Sequence, residues 1–320
     1  MNASAKQNVY LVWLEWPEAC FRINVKALRF LKSSVPTGSR VVRVRSEAAF
    51  LKALPKATHA FVWNFRREWF ARAPRLKVLA TPAAGRELVS TQGPKGVKIH
   101  FGHFHGSIIA ETVAAFMLAW SRGFFRLQSA EAKNDPWPRT WLSDKCSTVG
   151  GTNAVVVGFG HVGRAIGEFI ERLGVRVTGV TRHGVFEGAR RPKRRDGKCL
   201  ERTLGRADWL VLALPSTTGT DDYLDAKLIR KLPRTCVVVN VGRGNAVDER
   251  ALYAALKSGR LAGAYLDVRR HEPSATVLET PGYVSELADL PNCVSTPHSA
   301  AFDDEYMTQF ILELSHDGCL

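Results

Sequence analysis

Long apolar runs are missing from this chain. The longest, around Ile108 to Trp120, carries Glu111 and falls short of the roughly 20 residues that a membrane helix needs. Met1 to Ser4, followed by Lys6 and the short apolar run Val9 to Leu14, lacks a secretory h-region and its small-residue cleavage site. No membrane partner is expected. Cysteine is sparse and unpatterned: Cys20, Cys146, Cys199, Cys236, Cys293 and Cys319 include no Cys-x-x-Cys pair, which argues against both a disulfide framework and a zinc site. That usage suits a reducing cytoplasm, the compartment expected here. No fixed-period repeat or low-complexity tract occurs, so a solenoid is excluded. Acidic residues are also in short supply, 30 Asp and Glu against 45 Lys and Arg, for a net charge of +15.

Such a charge ordinarily raises nucleic acid as a partner. Its distribution weakens that idea, because the interval 182–206 alone holds nine Lys and Arg against three acids, and its Gly and Pro content reads as a long loop. A solvated basic loop is the simplest reading, an anionic-ligand site comes next, and DNA comes last.

With 320 residues, 45% of them hydrophobic and 23% charged, the chain is folded and long enough for two domains with a cleft between them. From Thr152 to Asp267 strand-like and helix-like segments alternate, the pattern of a doubly wound α/β domain. Val155 to Val157 enters a glycine turn, and apolar residues at helical spacing follow from Arg164 to Leu173. Further strands are predicted at 175–180, 209–214, 236–241 and 262–268, with Asp248 capping a helix over 249–258 that Gly259 closes. A weaker alternation predicts front-half strands at 9–13, 41–44, 60–63, 78–81 and 97–101. Ser107 to Arg122 predicts a helix bridging the domains. Asn134 to Trp141, with two prolines and two tryptophans, reads as a loop or arm exposing aromatic surface.

The hexapeptide Gly158-Phe159-Gly160-His161-Val162-Gly163 follows a strand and opens a helix. In that context its glycines permit a tight turn, close approach of backbone to a pyrophosphate and tight helix packing, which points to dinucleotide binding. The next strand ends in Val180-Thr181-Arg182-His183, with no carboxylate where one would meet a ribose diol. A hydroxyl and a guanidinium there suit a 2′-phosphate, so NADP(H) is favoured and NAD(H) is the alternative; otherwise Arg182 is one more loop cation.

Three further segments end strands where open α/β sheets place ligand contacts. Arg243 sits between Gly242 and Gly244, Asp267 precedes His271-Glu272-Pro273, and His298 closes Ser295-Thr296-Pro297-His298. An Arg so placed can grip a carboxylate with two prongs, and a histidine with a carboxylate on a nearby loop makes an acid/base pair. Singly, each has a plain explanation as a surface cation, a solvated acid or a satisfied loop histidine. Their order after a dinucleotide turn is the informative part.

From about Ile109 to Pro297 the chain resembles the D-isomer-specific 2-hydroxyacid dehydrogenase family: AETVAAFMLAWSR, GFGHVGRAIGEFIERLG, VNVGRGNAVDERALYAALKSGRLAGAYLDV, HEP and PHSA fall in that family's order. The resemblance implies that Arg243 binds the substrate carboxylate and polarises the C2 oxygen, that His298 exchanges the proton, and that Glu272 bonds its far nitrogen. It implies cofactor contacts at Leu214, Pro215, Thr220, Val241, Gly242 and Asp267, with Asp267 at the nicotinamide end. Backbone N–H groups near Ala84 and Gly85 are implied to hold the substrate carboxylate. Arg86, where the family usually has a small apolar residue, suggests a second anionic group on the substrate. His103 and His105 lack a third ligand, so no metal is expected.

The fold expected is α/β, two doubly wound parallel-sheet domains. A Rossmann-type cofactor domain, 104–294, is inserted into a flavodoxin-like substrate domain made of 1–103 and 295–320. The function expected is hydride transfer between a nicotinamide cofactor and C2 of a small anionic 2-oxo or 2-hydroxy acid, working as a reductase. A homodimer is implied, with Trp137 and Trp141 suiting its interface. The alternative is a nucleotide-sensing corepressor of the C-terminal-binding-protein type with little turnover.

Overall fold

The computed structural model describes residues 7–128, 134–190, 193–195, 199–272 and 286–320. The chain divides into two compact units, residues 1–105 with 302–320 and residues 106–301.

The first unit is built on five parallel strands, β1 (Val9–Trp13), β2 (Arg40–Arg43), β3 (His59–Val62), β4 (Val78–Thr81) and β5 (Lys98–Phe101). Their order in the sheet is β2-β1-β3-β4-β5, the flavodoxin-like order expected. Leu11, Ala60, Val62 and Leu79 of β1, β3 and β4 are buried with Phe50, Phe65 and Trp69, and the partly buried Val42 of β2 and Ile99 of β5 pack against them. Asn24 and Ser46 start the crossing helices Val25–Ser34 and Glu47–Ala53 by accepting hydrogen bonds from Ala27 N and Ala49 N. The C-terminal helix, Tyr306–His316, packs against Val25–Ser34 and buries Phe310 and Leu314 completely.

Among the described residues the second unit holds eight strands: β6 (Asn153–Val157), β7 (Arg176–Thr181), β8 (Gly184–Glu187), β9 (Lys193–Arg195), β10 (Trp209–Leu212), β11 (Val237–Asn240), β12 (Gly263–Leu266) and β13 (Cys293–Ser295). Their order is β13-β12-β11-β10-β6-β7-β8-β9. Val156, Val211, Val239 and Tyr265 pack on one face with Phe116, Met117 and Ile166. Val155, Leu210, Val238 and Leu266 pack on the other with Leu252 and Leu256. Because both faces are covered, the strands read as unbroken apolar runs. Strand order reverses at β6, so ligands are expected beyond the carboxyl ends of β6 and its neighbours.

Three expectations need correction. The interval 182–206 is not one long loop: β8 and β9 add antiparallel strands to the sheet edge, and a helix spans Cys199–Leu204. Val185, 3% exposed, and the partly buried Phe186 supply the apolar anchorage that the surrounding charge conceals. The helix expected to bridge the domains, Gly106–Ser121, belongs wholly to the second unit and packs on His161–Arg172, where a Cβ on Gly106 would lie 3.1 Å from Ala165 Cβ. The return to the first unit comes after Ala301 rather than at 295, because Ser299 N and Ala300 N are hydrogen-bonded to Asp267 at the end of β12. Pro273 and most of the insertion 274–289 lie outside the described residues.

Candidate active site

The glycine turn is constrained at its ends and open in its middle. Gly158 has φ +89°, and a Cβ there would stand 2.4 Å from Ala213 O; one on Gly163 would stand 2.3 Å from Gly158 O. Those two are glycines because backbone crosses backbone. Gly160 differs, since a Cβ on it would meet nothing within 4 Å. It caps the helix His161–Arg172 without a side chain, and the first intrahelical bond runs from Arg164 N to Gly160 O at 2.9 Å. Amides ahead of that bond, together with the helix dipole, make a phosphate site, and the open space over Gly160 leaves room for one. The turn therefore fits a dinucleotide. Phe159 is 4% exposed and its ring lies against Gly167 and Gly179, so its side chain belongs to the core and only its backbone faces the turn.

At the end of β11 the two glycines around Arg243 are obligatory. A Cβ on Gly242 would lie 2.5 Å from Leu214 N, and one on Gly244 would lie 1.9 Å from Arg269 C. Between them Asn240, fully buried, donates Nδ2 to Arg243 O at 3.2 Å and accepts from Gly242 N at 3.2 Å. The backbone that carries the guanidinium is thus clamped. Sequence alone assigns Asn240 no role of its own; an amide at a strand end, where the apolar run stops, is its only signal.

Asp267 directly follows β12, is 3% exposed and accepts four hydrogen bonds from the 296–300 segment. Oδ1 takes Thr296 Oγ1 at 2.6 Å, Ser299 N at 2.8 Å and Ala300 N at 3.0 Å, while Oδ2 takes Ala300 N at 3.1 Å. Its carbonyl accepts His298 N at 2.8 Å. His298 itself has φ +53°, a left-handed conformation that costs a non-glycine residue energy and persists because these bonds impose it. Asp267 thus positions His298, a role that the resemblance did not suggest.

His298 Nδ1 and Glu272 Oε2 are 3.0 Å apart, with the side chains 51% and 40% exposed. Glu272 Oε1 accepts Arg269 N at 3.3 Å. The loop bearing Glu272 is braced by the buried pair Arg269–Glu249, 3.0 Å, and by Arg270 N, which donates to the same Glu249 oxygen at 2.9 Å. The Glu272 hydrogen bond raises the pKa of His298 above its ordinary 6.5, against the opposing effects of burial and of the Arg243 charge. Burial pushes Glu272 up, but its bonds to His298 and Arg269 N and the charge of Arg243 bring it below the usual carboxylate value. Arg243, Glu272 and His298 therefore act on one another electrostatically, and the pair holds a proton at pH values where a free imidazole has lost it.

Other expected contacts are engaged within the protein. Thr181 and Gly184 close the β7–β8 hairpin, and the Thr181 hydroxyl accepts from His183 N at 3.1 Å and donates to Gly184 O at 3.3 Å. Arg182 is exposed at the tip of that hairpin. Thr220 Oγ1 bonds Pro215 O at 2.7 Å and accepts from Thr217 N at 3.0 Å, shaping the loop after Leu214. Val241 and Gly242 are buried. In the first unit, Ala84 is exposed and Gly85 half-buried, and the Arg86 guanidinium lies 5.5 Å from the centre of the Phe101 ring.

A model of the D-isomer specific 2-hydroxyacid dehydrogenase NAD binding domain matches residues 114–300. A glycerate dehydrogenase of Methylorubrum extorquens is 28% identical over 250 residues, 76% of this chain and 74% of that protein. A glyoxylate reductase of Thermococcus kodakarensis is 30% identical over 241 residues, 72% of this chain and 69% of that protein. Among solved structures, a D-isomer specific 2-hydroxyacid dehydrogenase of Xanthobacter autotrophicus in complex with NADPH superposes with a TM-score of 0.73 at 25% identity, covering 98% of this chain and 96% of that one.

The charge pairing makes a testable statement independent of any substrate. A histidine whose folded pKa is raised gives stability that is complete below its unfolded pKa and is lost as pH rises through the folded value. Replacing Glu272→Gln removes the charge that holds the proton, so the imidazole should titrate at lower pH. The NMR titration of the His298 ring protons is expected to show that downward move; an unchanged midpoint contradicts the pairing.

Proposed function

The chain belongs to the D-isomer-specific 2-hydroxyacid dehydrogenase family, and on that premise we propose that it reduces a small anionic 2-oxo acid to the D-2-hydroxy acid. The observation that carries this reading is the His298–Glu272 pair, 3.0 Å apart, in the field of Arg243. When bound, the nicotinamide cofactor supplies the hydride. Reduction of a ketone puts negative charge on the C2 oxygen, so a cation and a proton donor belong beside it. Arg243 supplies the cation and grips the carboxylate. His298 supplies the proton through Nε2, because Glu272 holds Nδ1. A binding protein of the corepressor type would show little turnover, so steady turnover separates the two readings.

The groups that would hold the cofactor are the turn Gly158 to Gly163, with Phe159 contributing backbone alone, and the strand-end residues Leu214, Pro215, Thr220, Val241, Gly242 and Asp267. Arg182 would take a 2′-phosphate, which makes NADPH the preferred donor; the Thr181 hydroxyl is already engaged in its hairpin. Ala84, Gly85 and Arg86 are kept as proposed substrate contacts. Glyoxylate and hydroxypyruvate fit the size class suggested by the named relatives. We also propose a homodimer, supported by the 77% exposure of Trp137, and a reducing cytoplasmic setting, supported by the free thiols of Cys20, Cys146, Cys236, Cys293 and Cys319.

His298→Ala should lower kcat for 2-oxo acid reduction by about 10²–10⁴-fold with little change in cofactor affinity, since the proton is needed only during the reaction. Arg243→Ala should cost more in kcat/KM than Arg243→Lys, because a point charge keeps attraction but loses the two-pronged geometry. Steady-state kinetics with glyoxylate and hydroxypyruvate check both, and wild-type rates in these variants remove the residues from the chemistry.

The cofactor reading is tested at one position. A charge-assisted hydrogen bond is worth roughly 1.5–3 kcal/mol, so wild type should favour NADPH over NADH in kcat/KM by about tenfold or more. Arg182→Ala should abolish most of that preference through cofactor KM. A preference for NADH in the wild type, or no response to Arg182→Ala, leaves Arg182 a surface cation.

A further inference from the structure

The first unit gathers four groups that neither the glycine turn nor the strand-end residues use. His100 lies on β5 and His103 just beyond it, while Glu313 and Asp317 lie one helical turn apart at the end of Tyr306–His316. One ligand atom from each can be chosen so that all four lie within 4.8 Å of one another. Glu313 Oε1 is 2.7 Å from His100 Nε2, and Oε2 is 3.3 Å from His103 Nδ1. Asp317 Oδ2 is 3.6 Å from His100 Nδ1 and 4.0 Å from His103 Nε2. His105, which lies on a buried stretch and stacks on Tyr306, takes no part.

We propose that His100, His103, Glu313 and Asp317 form a structural zinc site that staples the C-terminal helix to the end of β5. Zinc binds nitrogen and oxygen ligands at about 2.0–2.2 Å, which spaces tetrahedral ligand atoms about 3.3 Å apart. Taken one atom per residue, the four lie within 4.8 Å of one another, so closure to that spacing draws them together by up to about 1.5 Å through side-chain movement.

Charge favours the same ion. His100 and Glu313 are 8% and 7% exposed, and a carboxylate so buried demands a positive partner. A divalent cation with two neutral imidazoles and two carboxylates leaves the set uncharged. The Lys98 ammonium donates to the carbonyl of Asp317. Two imidazoles disfavour calcium and magnesium, which take oxygen, and four protein ligands make a closed site. His103 and Asp317, each about two-fifths exposed, give the ion its way in. The sequence shows only the two histidines; the acids that complete the set come from the far end of the chain.

The test is calorimetric titration of the dialysed full-length protein with zinc chloride, with cobalt(II) as a spectroscopic substitute. One zinc per chain, visible ligand-field bands of a tetrahedral cobalt site, a higher thermal midpoint with zinc and no response to magnesium are expected. His103→Ala and Asp317→Asn, both half-exposed and so compatible with folding, should each weaken zinc by more than about 100-fold, the upper range for losing an outer-sphere partner alone. Absence of stoichiometric zinc uptake, or uptake that both variants retain, overturns the proposal.

Discussion

Asp267 is buried to 3% exposure, and an ionised carboxylate in that position is tolerable only if donors surround it. The donors it recruits are Thr296 Oγ1, Ser299 N and Ala300 N, while its own carbonyl takes His298 N. The placement of His298 follows from that exchange. The 296–300 segment is pulled onto the end of β12, His298 is held at φ +53°, and its Nδ1 comes within 3.0 Å of Glu272. The same bonds decide that residues 296–301 stay with the second unit. A core carboxylate thus converts the solvation cost of one buried charge into the placement of a half-exposed proton carrier.

Arg243 is placed by a different device. Its neighbours Gly242 and Gly244 each touch backbone so closely that no side chain fits, and Asn240 ties the loop on both sides. A backbone held by such contacts is pre-organised, which is what stabilising a developing charge requires.

Two histidine–glutamate pairs of different exposure show what burial decides. His298–Glu272, 51% and 40% exposed, keeps contact with water and can exchange its proton. His100–Glu313, 8% and 7% exposed, cannot do so readily and serves instead to hold a strand to a helix. Much of this was legible in the sequence, because local spacing encodes it. The glycine turn, the apolar strands, the Asp248 cap on Arg250 N and Ala251 N, and the strand-end positions of Arg243, Asp267 and His298 all emerge from neighbours in the chain. The misreadings have a common cause. Val185 and Phe186 form a strand inside a basic stretch whose charge outweighs them in any composition window. Phe159 sits within a ligand-binding motif, yet its ring fills the space left by Gly167 and Gly179. The meeting of His103 with Glu313, and the grip of Asp267 on Ser299, join residues that only the fold brings together.

The central claim is that this chain moves a hydride to C2 of a 2-oxo acid while His298 delivers the proton to the oxygen. Its most direct test is to supply hydroxypyruvate and NADPH deuterated at the transferring position of nicotinamide carbon 4, then analyse the product by NMR and chiral chromatography. Deuterium at C2 of a D-configured 2-hydroxy acid is the predicted result. A product with no deuterium at C2, or one of L configuration, contradicts the account.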